Sequence, residues 1–162
     1  MNARLALSLP ALACAGLALA TAVPAVAKDA SVEKRLDAQG TKYEVDEDGD
    51  YKVVISWSKE ERSQIVFVSG KTEEVGGLVI REIFAPAAFV DKDGVSGKKA
   101  LELLQASGQT KFGSWEIRGG VVYFVAKVFD DISATRLDSV LAIIAETADD
   151  KEIELTGGKD DL

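Results

Sequence analysis

Apolar residues recur along the chain at two spacings, every second position in some stretches and every third or fourth in others. The clearest two-residue alternation lies in residues 111–129, where Gly119 and Gly120 separate two such runs. A two-residue hairpin turn needs positive φ angles, which glycine adopts at no steric cost. The stretch therefore predicts a β-hairpin, and its apolar alternation predicts that the hairpin belongs to the core.

Four other stretches have the alternation that is typical of strands. They are residues 41–45, 51–57, 63–69 and 78–84. The acidic segment 46–50 is expected to join the first two as a hairpin, since Asp and Gly are frequent turn residues. Gly70-Lys71-Thr72 is expected to end the third strand, and Pro86 is expected to stop the fourth.

Three stretches have helical spacing. The first, residues 30–39, has a thin apolar stripe and ends before Gly40, and the second, residues 97–106, follows a possible N-cap at Ser96. The third begins after Ser133 and is expected to run on towards residue 155, where Gly157 ends it. The predicted class is α+β, with an antiparallel sheet of about five to six strands and the order α-β-β-β-β-α-β-β-α.

The first 27 residues differ from the rest of the chain. Residues 5–26 are apolar or small, Arg4 is the one basic residue before them, and Ala25-Val26-Ala27 precedes Lys28. This pattern predicts a secretory signal peptide over residues 1–27, with a periplasmic or, alternatively, a secreted mature protein. A permanent membrane anchor and a lipid anchor on Cys14 are the alternatives.

Cleavage after Ala27 would leave a single acidic domain. Its expected bounds are residues 28–157, with a frayed tail at 158–162, and a chain of this size can bury a core without disulfides. The full sequence has 27 acidic and 19 basic residues. Because such a charge repels phosphate backbones and anionic lipid, we expect no nucleic-acid partner and no membrane insertion after cleavage.

Residue usage excludes several kinds of chemistry. The chain has no histidine and one cysteine, Cys14, which lies within the predicted signal peptide. Catalysis by Ser-His-Asp or Cys-His, the usual zinc sites and haem ligation by histidine are therefore excluded from the mature chain. Carboxylates, lysine, serine and tyrosine remain, and no catalytic residue is predicted.

Two segments of the chain match known binding motifs only in part. Gly70-Lys71-Thr72 lacks the earlier glycine of a phosphate-binding loop. Asp46, Asp48 and Asp50 match the first ligand positions of a calcium loop, but Tyr51 and Trp57 stand where that loop needs Gly and Glu. We therefore expect solvated acidic turns and no required metal or cofactor.

Glu82 lies in a strand among apolar residues. It is either a general base with a perturbed pKa, paired with Arg81 or Arg118, or a salt-bridged strand residue. The second reading is the commoner one for such positions.

Several phrases spread over the chain, from about Val32 to Gly157, resemble the YbjN-domain family: LDAQGTKYEVDEDGDYKV, IVFVSGKTEEVGGLVIREIFAPAA, LLQASGQTKFGSWEI and AETADDKEIELTG. The resemblance implies a fold like that of class I type III secretion chaperones and a role as a sensory-transduction regulator. It carries no catalytic residues. Most members of that family are expected in the cytoplasm, from which the predicted signal peptide departs.

These observations lead to one functional hypothesis and one alternative. The hypothesis is a non-enzymatic periplasmic protein-binding module, a regulator or chaperone-like protein. The alternative is a small-molecule-binding protein or a carboxylate-dependent enzyme of the cell envelope. Two close carboxylates with raised pKa values would favour the enzyme, and a broad apolar strip beside a sheet edge would favour the binder.

The predicted sheet is apolar on both faces, and the two stronger helices are expected to cover one of them. Large apolar side chains left in water favour a second molecule, so we expect a homodimer or an extended partner segment added to the sheet. The predicted partner-binding residues are Trp57, Phe84, Phe89 and Trp115. Each has core packing as its alternative, because aromatic residues in strands usually pack inside.

We predict that the mature protein begins at Lys28 and accumulates in the periplasm, because Ala25-Val26-Ala27 forms a small-x-small cleavage site. N-terminal sequencing of the protein from fractionated cells measures both properties. Retention of Met1, or protein confined to the cytoplasm, would contradict the prediction.

Overall fold

The computed structural model describes residues 29–160 and 162, so the predicted signal peptide lies outside the described residues. The helices are α1 (Ala30–Gln39), α2 (Lys98–Gln109) and α3 (Ala134–Thr156). The strands are β1 (Glu44–Val45), β2 (Tyr51–Trp57), β3 (Arg62–Val75), β4 (Leu78–Phe89), β5 (Ser114–Arg118) and β6 (Val121–Phe129). Within the described residues, no helix is both long and apolar enough to cross a membrane.

The strands form one antiparallel sheet in the order β1-β2-β3-β4-β6-β5. This confirms the predicted α+β class and the order α-β-β-β-β-α-β-β-α. The hairpin predicted around Gly119 and Gly120 joins β5 to β6, and both glycines have positive φ, at 56° and 84°. The turn residues thus adopt the backbone conformation for which glycine is suited.

All three helices pack on one face of the sheet, which we call the covered face. One core contains Val32 and Leu36 of α1, six apolar residues of α3 from Leu137 to Ala148, and alternate residues of β2, β3, β4 and β6. Leu103 of α2 packs in a second, smaller cluster with Ala88 and Val122. The thin stripe of α1 therefore faces the same core as α3, and no helix within the described residues covers the other face of the sheet.

Two strand ends differ from the sequence prediction. β3 continues past Gly70-Lys71-Thr72 to Val75, with a shift of register between Val68 and Thr72, and the two-residue turn is Gly76-Gly77. β4 continues through Pro86, where the register against β6 shifts between Pro86 and Ala88. Prolines are tolerated at such bulges because the ladder is already interrupted. The Gln64 side chain also donates to the Pro86 carbonyl at 2.9 Å.

Helix α2 also differs from its prediction. It begins after Gly97, without a side-chain cap from Ser96, and it runs through Ser107 and Gly108 to Gln109. The helical spacing of Ala100, Leu101 and Leu104 predicted that these residues face the core, but Leu101 and Leu104 face outward, at 61% and 68% exposed, whereas Leu103 is buried. The Ser107 hydroxyl accepts a hydrogen bond from the Trp115 N–H at 2.8 Å, which ties α2 to the start of β5.

The covered face contains a buried arginine, Arg81 of β4, which is 1% exposed. Its Nε lies 2.6 Å from the Asp130 carboxylate after β6, and its Nη2 lies 2.5 Å from the carboxylate of Asp29, which caps α1. Its remaining nitrogen donates to the carbonyl of Ser69, at the register shift in β3. A single guanidinium therefore connects β3, β4, the start of α1 and the end of β6.

Both carboxylates that face Arg81 stay charged to low pH. Burial acts to raise the pKa of Asp29, but hydrogen bonds from Ser31 and Arg81 outweigh it and lower the pKa from 3.8 to about 2. Burial acts likewise on Asp130, and hydrogen bonds from Arg81 and Arg35 lower its pKa. A carboxylate with a lowered folded-state pKa stabilises the fold above pH 4 and loses that contribution as the pH falls through the folded-state value.

We predict that Asp29→Asn lowers the free energy of unfolding at pH 7 by about 1 to 2 kcal/mol. Asparagine can still cap the helix, but Arg81 loses one of its two carboxylate partners. The difference from the unmodified protein should shrink between pH 4 and pH 2. Urea unfolding at several pH values measures it. The exposed turn residue Asp48 supplies the control Asp48→Asn, and an equal loss in both variants would contradict the prediction.

Candidate functional site: the open face of the sheet

The face of the sheet opposite the helices, which we call the open face, carries a row of aromatic rings. Phe67 of β3 and Phe84 of β4 are directly paired across the strands, and their rings stack at 5.3 Å with an angle of 15° between the planes. The Tyr123 ring of β6 meets Phe84 edge-on at 5.7 Å. The three rings are half-buried against one another, although the helices lie on the opposite side.

An ionic cluster borders this aromatic row. Arg118 of β5 lies 2.8 Å from Glu82 and 2.6 Å from Glu116, and Lys127 lies 3.0 Å from Glu116 and 3.6 Å from Glu82. The four charges balance, and the Arg118 guanidinium also lies 5.9 Å from the centre of the Phe84 ring. The ion pairs therefore hold these four side chains in place beside the aromatic row, and they add no net charge to the open face.

The pKa values within the cluster indicate fixed ion pairs. Burial acts to raise the pKa of Glu116, but hydrogen bonds from Arg118 and Lys127 outweigh it and lower the value. The hydrogen bond to Glu82 raises the pKa of Arg118, and the one to Glu116 raises that of Lys127. Glu82 is therefore a salt-bridged strand residue, and a lowered pKa at Glu116 is the opposite of what a general acid needs near neutral pH.

The four predicted partner-binding residues lie on both faces. Phe84 is central to the aromatic row, and Phe89 pairs with Val121 at the end of the same strand, on the open face. Trp57 and Trp115 pack instead against the core on the covered face, where the Trp115 ring lies 4.8 Å from that of Phe124. The structure therefore gathers two of the four residues on one surface and separates the two tryptophans from it.

Two residues of the aromatic row, Phe67 and Tyr123, were not among the predicted binding residues. The alternation in β3 places Phe67 opposite the buried Val66 and Val68, and this signal was available from the sequence. The contact of Tyr123 with Phe84 depends on the pairing of β6 with β4, two strands that are separated along the chain by α2 and β5. No local pattern fixes that pairing.

The open face reaches a sheet edge that is only partly paired. β1 pairs only Glu44 and Val45 with the first two residues of β2, so the rest of β2 has no strand on that side among the described residues. Val54 lies on this part of β2, on the open face, and is 54% exposed. Val54 and its cross-strand partner Ile65 of β3 form an apolar strip beside this unpaired edge, which is a typical surface for the addition of a partner strand.

The acidic turns that resemble a calcium loop bind backbone groups. The Asp46 carboxylate accepts the N–H groups of Asp48 and Asp50 at 3.0 and 2.9 Å. The Asp50 carboxylate accepts the N–H of Gly70 at 2.9 Å. A side chain at Gly70 would place its Cβ 2.0 Å from the carbonyl oxygen of Gly49. The glycine of Gly70-Lys71-Thr72 is therefore explained by close packing of the chain, not by phosphate binding.

A second acidic group surrounds Arg62 at the start of β3. Carboxylate oxygens of Asp149, Glu152 and Asp160 lie within 4.8 Å of one another. Arg62 lies 2.8 Å from Asp149, 3.2 Å from the buried Glu152 and 3.9 Å from Asp160. The guanidinium supplies the positive charge that a metal ion would supply, so these carboxylates have a cation of their own.

Comparison of the chain with models of known protein families and with curated protein sequences gives no match in either set.

We predict that chelation with EDTA leaves the melting temperature unchanged, because backbone N–H groups and Arg62 already occupy the carboxylates that could hold a cation. Differential scanning calorimetry with and without EDTA measures this. The control is EDTA already saturated with calcium, which excludes an effect of the chelator itself. A fall of several degrees with free EDTA alone would contradict the prediction.

Proposed function

We propose that this protein is a non-enzymatic protein-binding module of the periplasm, a regulator or chaperone-like protein, and that its open face receives an apolar segment of a partner protein. One observation carries the proposal: the three helices of residues 29–160 pack on the covered face, and the aromatic row of Phe67, Phe84 and Tyr123 lies on the other.

The energy of binding would come from completing the burial of side chains that are now half-buried. Full burial of a large apolar side chain stabilises by about 1.5 to 3 kcal/mol relative to exposure, so each half-buried ring gains part of that amount. The rings are already held by their mutual contacts, so little side-chain entropy is lost when a partner binds. The apolar area of the rings and their preorganisation therefore both favour binding at the open face.

The size of the open face fits an extended segment. Five neighbouring strands, from β2 to β5, at a spacing of about 4.8 Å, span about 20 Å, which about six residues of extended chain can cross. The unpaired part of β2 offers backbone groups for additional hydrogen bonds next to Val54. A partner would use the two features with two segments, one that crosses the open face and one that is added as a strand along β2.

The family-level resemblance is part of the same proposal. The single antiparallel sheet with three helices agrees with the α+β fold that the resemblance to the YbjN-domain family implies. Many unrelated functions share such architectures, so the support for protein binding comes from the open face itself.

We predict that a photo-crosslinking amino acid at Val54 traps a partner in cells, whereas the same amino acid at Ile153 does not. Both positions are exposed, at 54% and 40%, but Ile153 lies on α3, on the other side of the sheet. Mass spectrometry of the adducts identifies the partner. Adducts that are equal at the two positions, or absent at Val54, would contradict the proposal.

A binding measurement with the purified partner then tests the face directly. Val54→Asp and Phe84→Ala should each weaken binding at least tenfold, since one adds a charge to the apolar strip and the other removes the central ring. Ile153→Asp should leave the affinity unchanged, and thermal melting confirms that each variant folds.

In the crosslinking experiment at Val54, an adduct of twice the monomer mass would identify a second copy of this chain as the occupant.

A further inference from the structure

An apolar groove of about 450 Å³ lies beside the sheet, between the end of β6 and the first half of α3. Its walls include Ile80, Val128, Phe129, Val140 and Ile143. Phe129 is 53% exposed and Ile143 is 44% exposed, so the groove opens to solvent along its length. Its volume is within the range of about 300 to 1,000 Å³ that is typical of small-molecule sites.

The charges of the groove differ from those of the whole protein. The chain has a net charge of −8, yet the groove is lined by two basic residues, Lys127 and Arg136, and by no acidic residue. Lys127 is held by Glu82 and Glu116 in the ionic cluster. The Arg136 side chain has no ion pair or hydrogen bond to any other residue that the structure describes.

We propose that this groove binds a single-chain anionic amphiphile, such as a fatty acid, with its acyl chain against Ile143 and Phe129 and its carboxylate at Arg136. The apolar walls match the chain, and the guanidinium matches the head group, since arginine binds a carboxylate through two parallel N–H groups. Lys127 borders both surfaces, but none of the three rings of the aromatic row lines the groove, so the experiments below test the groove separately from the protein-binding proposal.

Groove binding should depend on the length of the acyl chain. The affinity is expected to rise by about twofold to fourfold for each added methylene from octanoate to dodecanoate, because each methylene is removed from water. Isothermal titration calorimetry below the critical micelle concentration measures these affinities for the full mature protein. The absence of saturable binding of dodecanoate would overturn the proposal.

Two variants on α3 form a matched pair for the location of the site. Ile143→Glu places a negative charge in the groove and should weaken the binding of dodecanoate at least tenfold. Ile153→Glu places the same charge at a similarly exposed position of the same helix, outside the groove, and should leave the affinity unchanged. Equal affinities in the two variants would overturn the proposal.

The head group is tested separately. Dodecanoate should bind at least fivefold more tightly than its methyl ester, and Arg136→Gln should abolish this preference whereas Arg136→Lys should retain part of it. Equal binding of acid and ester by the unmodified protein would overturn the role of Arg136.

Light scattering of the same samples tests whether a second copy of the chain covers the groove. A dimer that Ile143→Glu dissociates would show that it does, and would also overturn the proposal.

Discussion

The burial of Arg81 is the constraint on which the arrangement of the other elements depends. A guanidinium inside a core is tolerated only where anionic and carbonyl groups surround it, because removing the charge from water costs several kcal/mol. Asp29, Asp130 and the Ser69 carbonyl meet this need from three separate segments. Satisfying one side chain thus fixes where α1 begins, where β6 ends and where β3 changes register.

This constraint helps to explain why the helices share one face. Asp29 caps α1 and Asp130 lies just before α3, so pairing both with Arg81 brings the starts of these two helices to the covered face. Arg35 of α1 adds a second ion pair to Asp130 at 3.0 Å. Apolar side chains on the opposite face must then be covered by one another, and the stacked rings of Phe67, Phe84 and Tyr123 are the result.

Three groups of charged side chains in the described part of the chain are each built around an arginine. Arg81 and Arg62 lie on the covered face with buried or partly buried carboxylates, and Arg118 lies on the open face with Glu82 and Glu116. The groups around Arg81 and Arg118 are neutral when Arg35 and Lys127 are counted with them, whereas the group around Arg62 holds three carboxylates against one guanidinium. Arg136, beside an apolar groove, stands apart from this pattern.

The sequence by itself determined the local elements. Glycine turns, helix caps and apolar spacing act over a few residues, and they correctly predicted α1, α3 and the β5–β6 hairpin. The tertiary structure decided what depends on distant partners: the continuation of β4 through Pro86, the burial of Leu103 rather than Leu101 and Leu104, and the separation of Trp57 and Trp115 from Phe84. Strand order and the side on which each helix packs place these residues, and both arise from contacts between segments far apart in the chain.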